Sequence, residues 1–148
     1  MNPTLSKLLG HLLGYVLWLV IAIGVSIAYV LIVSRVFGVT GGPFGLAAAL
    51  FSFPLMIMLF AVVVWLPAWL FHRSKWGKMS HGRVLLLSLG GGLILSLIIA
   101  GPRGFTLAGG SELVNYALTA GVVLGAFAHN AVAERAYRAG KTMSPVQE

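Results

Sequence analysis

The chain has 148 residues, of which 59% are hydrophobic and only 9% are charged, whereas soluble domains carry roughly 25% charged residues. A soluble fold of this size leaves about 30% of its chain surface exposed to water, and this composition has too few polar side chains to cover it. The sequence therefore excludes an ordinary soluble domain and predicts an integral membrane protein. Cysteine and aspartate are absent, so disulfides, thiol catalysis and thiolate metal sites are excluded as well.

Four long apolar segments predict four transmembrane helices. They cover residues 8–33, 44–71, 84–100 and 113–133. The first is too long for the apolar core of a secretory signal, ~7–15 residues, so we expect it to be retained as a spanning helix. Pro54 and Pro67 are expected to kink the second. The fourth is interrupted by polar residues and leads into an expected cytoplasmic tail, residues 134–148.

A basic loop between the second and third segments predicts the orientation. It carries Arg73, Lys75, Lys78 and Arg83. With both termini on the same side as this loop, eight of the ten Lys and Arg residues share that side, and only Arg35 and Arg103 lie opposite. Lys and Arg are retained in the cytoplasm. We therefore predict an all-α, antiparallel four-transmembrane-helix bundle of two hairpins in the cell inner membrane, with both termini cytoplasmic.

The formal charge of +7 raises the question of nucleic acid. Because most basic residues flank apolar segments, we assign them to topology and to contact with anionic lipid head groups, and we predict no nucleic-acid binding. Trp65 and Trp69 lie near the basic loop, where indole rings favour the head-group layer. At the opposite end, Glu112 lies near Arg103, and an ion pair between them is one expectation.

The four histidines are the reactive set that the chain offers. They are His11, His72, His81 and His129, and the predicted topology places all of them toward the cytoplasmic side. Neutral imidazole ligates haem iron or other metals and relays protons. However, no carboxylate stands near enough in sequence to orient an imidazole. We expect structural roles at the interface and predict no cofactor and no metal site, with His11 and His129 as the alternative ligands of haem or a metal.

Small residues recur every four positions on two segments. The third segment has Ser88, Gly92 and Ser96, and the fourth has Gly121 and Gly125. Such faces let the backbone of another helix approach closely. The neighbour is either a helix of the same chain or a second membrane protein or copy. We expect an internal neighbour at Gly121 and a partner at Gly125.

The functional prediction depends on which catalytic and transport motifs the sequence lacks. None of the four segments has a central carboxylate, which argues against proton-coupled export, and the sequence has no phosphate loop, Ser/His/Asp set or acidic metal cluster. We therefore predict a small non-enzymatic membrane protein that acts by binding. It would be an accessory or assembly subunit of a membrane complex, or an immunity-type protein. The alternatives are a small oligomeric channel or transporter, and a haem-binding redox subunit.

Overall fold

The computed structural model describes residues 3–39 and 42–142, and over these residues the only regular structure is helical. The elements are α1 (Pro3–Arg35), α2 (Gly42–Phe60), a π-helical segment (Ala61–Trp65), α3 (Leu66–Trp76), α4 (His81–Ala100) and α5 (Val114–Thr142), with short 3₁₀ turns at Pro102–Phe105 and Ser111–Leu113. Because α2, the π segment and α3 are continuous, they form one helix. Within these residues four helices are thus long and apolar enough to cross a membrane, which confirms the all-helical class and the number of membrane-length helices and indicates a multi-pass membrane protein.

The helices extend beyond the apolar segments because their polar flanks also favour helix. α5 continues to Thr142, so much of the expected tail is helical, although residues 143–148 lie outside the described part of the chain. The start of α4 at His81 follows from capping: the hydroxyl of Ser80 accepts a hydrogen bond from the backbone N–H of Arg83, at 3.4 Å. A serine at this position satisfies one of the free donors of the first turn.

The π segment keeps one face of the second helix turned inward. The buried residues Ile57, Ala61, Trp65 and Trp69 are spaced by four, and in an ideal α-helix each such step overshoots a full turn by about 40°. The wider π turn offsets part of this drift. Pro67 lies two residues beyond this segment, and because it lacks an N–H it interrupts the regular hydrogen bonds. The kink expected from the prolines stays a prediction, and what the structure shows near the second proline is a π turn.

α5 is the central helix, because it packs against both α1 and α4. The hydroxyl of Ser6 donates to the carbonyl of Ala136 at 3.2 Å, while Tyr29, further along α1, donates to the carbonyl of Ser111 at 3.0 Å. Residues later in α1 therefore contact residues earlier in the segment that contains α5. The two helices run in opposite directions, and the beginning of α1 lies beside the end of α5.

Glycines on α5 leave space for large side chains of the same chain. Gly125 is covered by the indole of Trp18, and a Cβ at Gly125 would overlap that ring. Gly121 faces Ile57, whose Cδ1 would lie 2.5 Å from a Cβ. The internal neighbour expected at Gly121 is present. The partner expected at Gly125 is not, because Trp18 already fills the notch that this glycine creates.

The small-residue face of α4 also packs inside the chain. Ser88, Gly92 and Ser96 are all buried. The Ser96 hydroxyl lies 2.9 Å from the hydroxyl of Thr119 and donates to the carbonyl of Asn115 at 3.2 Å, both on α5. This line of three small residues therefore fixes α4 to α5 through close backbone approach and hydrogen bonds.

Candidate functional site

A chain of hydrogen bonds links four aromatic side chains of three helices. The indole N–H of Trp65 donates to Nδ1 of His129 at 3.1 Å. Nε2 of His129 lies 3.1 Å from Nδ1 of His11, and Nε2 of His11 lies 3.3 Å from the hydroxyl of Tyr137. His129 is completely buried. The chain leads from the interior of the helices to the end where α1 begins and α5 finishes.

The donor at one end fixes the direction of this chain. An indole nitrogen only donates, so Nδ1 of His129 is an acceptor and carries no proton. Neutral His129 then has its proton on Nε2 and donates it to His11. By the same reasoning neutral His11 donates from Nε2 to Tyr137. All four ring nitrogens of the histidine pair are therefore used, and both tautomers follow from the single donor at Trp65.

Trp69 makes a parallel contact one turn further along. Its indole N–H donates to Oδ1 of Asn130 at 2.8 Å. Trp65 and Trp69 are 2% and 0% exposed, so both indoles are enclosed by the chain itself, whereas their placement at the depth of the head-group layer stays a prediction. They can be enclosed because Asn130 and His129 on α5 supply the acceptors that an indole N–H otherwise finds at a wet interface.

An ion pair closes this cluster at the basic end. The guanidinium of Arg73 pairs with the carboxylate of Glu134, and the second carboxylate oxygen accepts from the backbone N–H of Met79 at 3.4 Å. Arg73 also lies over the ring of Tyr137, 4.9 Å from its centroid, and the ammonium of Lys7 lies 5.3 Å from the same centroid. Cations at this distance are attracted to the ring face.

A cavity of about 470 Å³ opens between α3 and α4 at the same end, and we call it the α3–α4 cavity. It is lined by His72, Trp76, Arg83, Leu86 and Leu87. Nη1 of Arg83 lies 3.0 Å from Nε2 of His72, whereas Nδ1 of His72 is buried and has no hydrogen-bond partner. Because the two residues approach across the short loop, the cavity has a cationic wall beside an apolar one.

The other basic loop residues are placed differently. Lys78 is exposed, and it lines a second cavity, of about 350 Å³, together with Arg73 and Glu134. The ammonium of Lys75 lies 5.4 Å from the centroid of the Phe71 ring. Of the four residues assigned to topology and head groups, Arg73 alone is tied into an ion pair within the described part of the chain.

The structure brings two of the four predicted histidines together. His11 and His129 form the pair, whereas His72 contacts Arg83 and the ring of His81 lies 6.3 Å from that of Phe127. Within residues 3–39 and 42–142, no three side chains of the metal-binding types are grouped. Haem or metal ligation by His11 or His129 would require breaking a bond that its ring nitrogens now make.

At the opposite end of the molecule, the polar side chains also form hydrogen bonds within the chain. The carboxylate of Glu112 accepts from the hydroxyl of Thr106, so its described partner is not the expected Arg103. The amide of Asn115 donates to the carbonyl of Gly101 at 2.6 Å. These bonds close the connection between α4 and α5.

Sequence reasoning missed Tyr137, Asn130 and the Arg73–Glu134 pair as parts of the cluster. A signal was present, because Trp65, Trp69 and Arg73 are spaced by four and lie on one face of a helix. Which helix faces them could not be read from that spacing.

Comparison with known protein families, characterised proteins and solved structures found no match to this chain. Its function is therefore inferred from the geometry of these sites.

Proposed function

We propose that this protein is a non-enzymatic, multi-pass protein of the cytoplasmic membrane that acts by binding a second membrane protein, as an accessory or assembly subunit or as an immunity-type protein. In this proposal its four helices form an antiparallel bundle with both termini in the cytoplasm. Support for the orientation comes from the basic end of the molecule, where Lys7, Arg73 and Arg83 gather, since such residues are retained inside.

The observation that carries the proposal is that the reactive side chains are occupied by one another. The ring nitrogens of His11 and His129 bond within the Trp65–Tyr137 chain, and the carboxylate of Glu134 is held by Arg73. A general acid, base or metal ligand must be able to reach a substrate. In this cluster the same groups bond to one another, and they stabilise the packing of α1, α5 and the second helix.

The packing between the helices argues against a pore through a single copy of the chain. The space between α1, the second helix and α5 is filled by side chains with relative exposures of 0–2%: Trp18, Ile57, Trp65 and Leu118. Transport would need a polar path through this region. A packed apolar interior is instead what a rigid binding subunit requires.

The outward face of α4 is the surface that we assign to the partner. α4 packs chiefly on α5 and makes little contact with α2, where the ring of Phe60 lies against Gly91. On its outward face, Gly90 is followed at successive four-residue steps by the exposed Ile94 and Ile98, with open space where a Cβ of residue 90 would point. This shape fits the apolar helix of a second membrane protein, because a notch beside branched side chains admits close packing.

Site-specific photocrosslinking in cells tests the proposal. A photoreactive amino acid at Ile94 on α4 is compared with one at Val20, which is exposed on α1. We expect Ile94 to give a discrete crosslinked protein and Val20 to give none. Gly90→Leu should abolish that crosslink, while Gly24→Leu, also at a position with open space, should leave it intact.

The proposal fails if neither position yields a crosslinked protein while the chain is abundant in the membrane. It also fails if the crosslink at Ile94 survives Gly90→Leu. In the first case lipid covers the face of α4, and in the second the crosslinked protein does not pack into the notch at Gly90.

A further inference from the structure

The α3–α4 cavity has an unneutralised cation. Within the described residues no carboxylate lies within ion-pair distance of Arg83, and only one of the five guanidinium N–H groups is needed for its contact with His72. Arg83 stands in the first turn of α4, which contains no acidic residue. The N-terminal end of a helix is the positive end of its dipole. The charge around this cavity therefore favours an anion.

His72 holds Arg83 in the wall of the cavity. A guanidinium only donates, so Nε2 of His72 accepts the bond from Nη1 of Arg83 at 3.0 Å. Because His72 is only 6% exposed, the acceptor that orients the guanidinium is itself fixed by packing. Nδ1 of the same ring is buried away from the cavity surface. The remaining N–H groups of Arg83 can therefore donate to an oxygen-rich ligand from a defined position.

The remaining wall of the cavity is apolar and faces the membrane. Leu86 and Leu87 are exposed on α4, which is one of the four membrane-length helices. Trp76 adds an amphipathic ring, a residue type that favours the head-group layer. The cavity thus combines anion-binding donors with a surface for an acyl chain, at the point where the loop joins two spanning helices.

We infer that the α3–α4 cavity binds the phosphate of an anionic phospholipid. Arg83, oriented by His72, donates to the phosphate oxygens, and Leu86 and Leu87 contact the acyl chain. The inference goes beyond the proposed function, because it needs no protein partner. A soluble phosphate shares the same donor chemistry, and the apolar wall is what favours the lipid.

Native mass spectrometry of the full chain in mild detergent tests this inference. The probe is phosphatidylglycerol, titrated against the protein, with phosphatidylcholine as the neutral comparison and glycerol phosphate as a soluble competitor. We expect phosphatidylglycerol to bind more tightly than phosphatidylcholine, and glycerol phosphate not to displace it. Displacement at equal concentration would overturn the lipid assignment in favour of a soluble phosphate. Equal binding of the two lipids would overturn the anion site.

Matched variants separate a defined site from general attraction to positive charge. Arg83→Gln should weaken phosphatidylglycerol binding about tenfold, which is ~1.4 kcal/mol. Arg103→Gln makes the same substitution at an exposed position that does not line this cavity, and it should leave the binding unaltered. His72→Phe keeps a ring but removes the acceptor that orients Arg83, and it should weaken binding as well. It serves as the test if Arg83→Gln does not fold. Equal losses in Arg83→Gln and Arg103→Gln, or unaltered binding in His72→Phe, would contradict the site.

Discussion

Gly125 of α5 lies directly against the indole ring of Trp18 in α1, so close that a Cβ at position 125 would overlap the ring. Trp18 is completely buried. Only a glycine at position 125 leaves room for the Trp18 side chain in the core. This contact joins α1 to α5.

Gly125→Ala should strongly destabilise the protein, because α1 must move away from α5 or Trp18 must leave its position. Gly24→Ala is the matched control: no atom lies within 4 Å of its would-be Cβ, and alanine favours helix over glycine by about 1 kcal/mol. Thermal unfolding in detergent is the measurement. A Gly125→Ala protein as stable as the control would show that α1 and α5 are not packed as described.

His129→Leu should destabilise the fold by about 2 kcal/mol, because it leaves the buried N–H of Trp65 without an acceptor and His11 without a donor. His81→Leu changes the same residue type at an exposed position and should have little effect. Equilibrium unfolding of the two variants in mixed micelles gives the comparison. Equal stabilities would contradict the directed hydrogen-bond chain.

Trp69 and Asn130 should show a positive coupling energy in a double-mutant cycle. Each single variant, Trp69→Phe or Asn130→Leu, leaves a buried polar group unpaired, whereas the double variant removes both. Hydrogen bonds between membrane helices have coupling energies of about 0.6 kcal/mol and reach about 1.7. A coupling of zero would show that the 2.8 Å contact adds nothing to stability.

Arg73→Gln and Glu134→Gln should each destabilise the protein by about 2 kcal/mol, since each leaves a charged partner largely enclosed. The pair is almost buried, with side-chain exposures of 16% for Arg73 and 5% for Glu134. The double variant Arg73→Gln/Glu134→Gln should recover part of the loss because no unpaired charge remains. Additive losses measured by chemical denaturation would contradict the ion pair.

The membrane-length helices could be predicted because an apolar run of about 20 residues is a local property of the sequence. The pairing of His11 with His129 could not, because it depends on the crossing of α1 and α5 and on their register. Both histidines were placed toward one side, but so were His72 and His81, and nothing in the spacing separates the pair from the other two.

Two contacts that the sequence did not predict have a common physical origin. An indole with an apolar body and one donor is suited to the head-group layer, but it is equally suited to a core that offers an acceptor, as His129 and Asn130 do for Trp65 and Trp69. Likewise, a glycine at Gly125 fits a partner helix or a large internal side chain. An indole N–H requires an acceptor, and a glycine leaves a space that another group fills. Which group supplies the acceptor or fills the space depends on the neighbouring helix.

Labelling of single introduced cysteines tests the central claim most directly, since a four-span protein with its basic end in the cytoplasm underlies both the partner and the lipid proposals. The chain has no cysteine of its own, so Lys78→Cys and Ala108→Cys, both at exposed loop positions, report without background. We expect a membrane-impermeant maleimide to label Ala108→Cys in intact cells and to label Lys78→Cys only after permeabilisation. Labelling of both in intact cells, or the reverse pattern, would contradict this account.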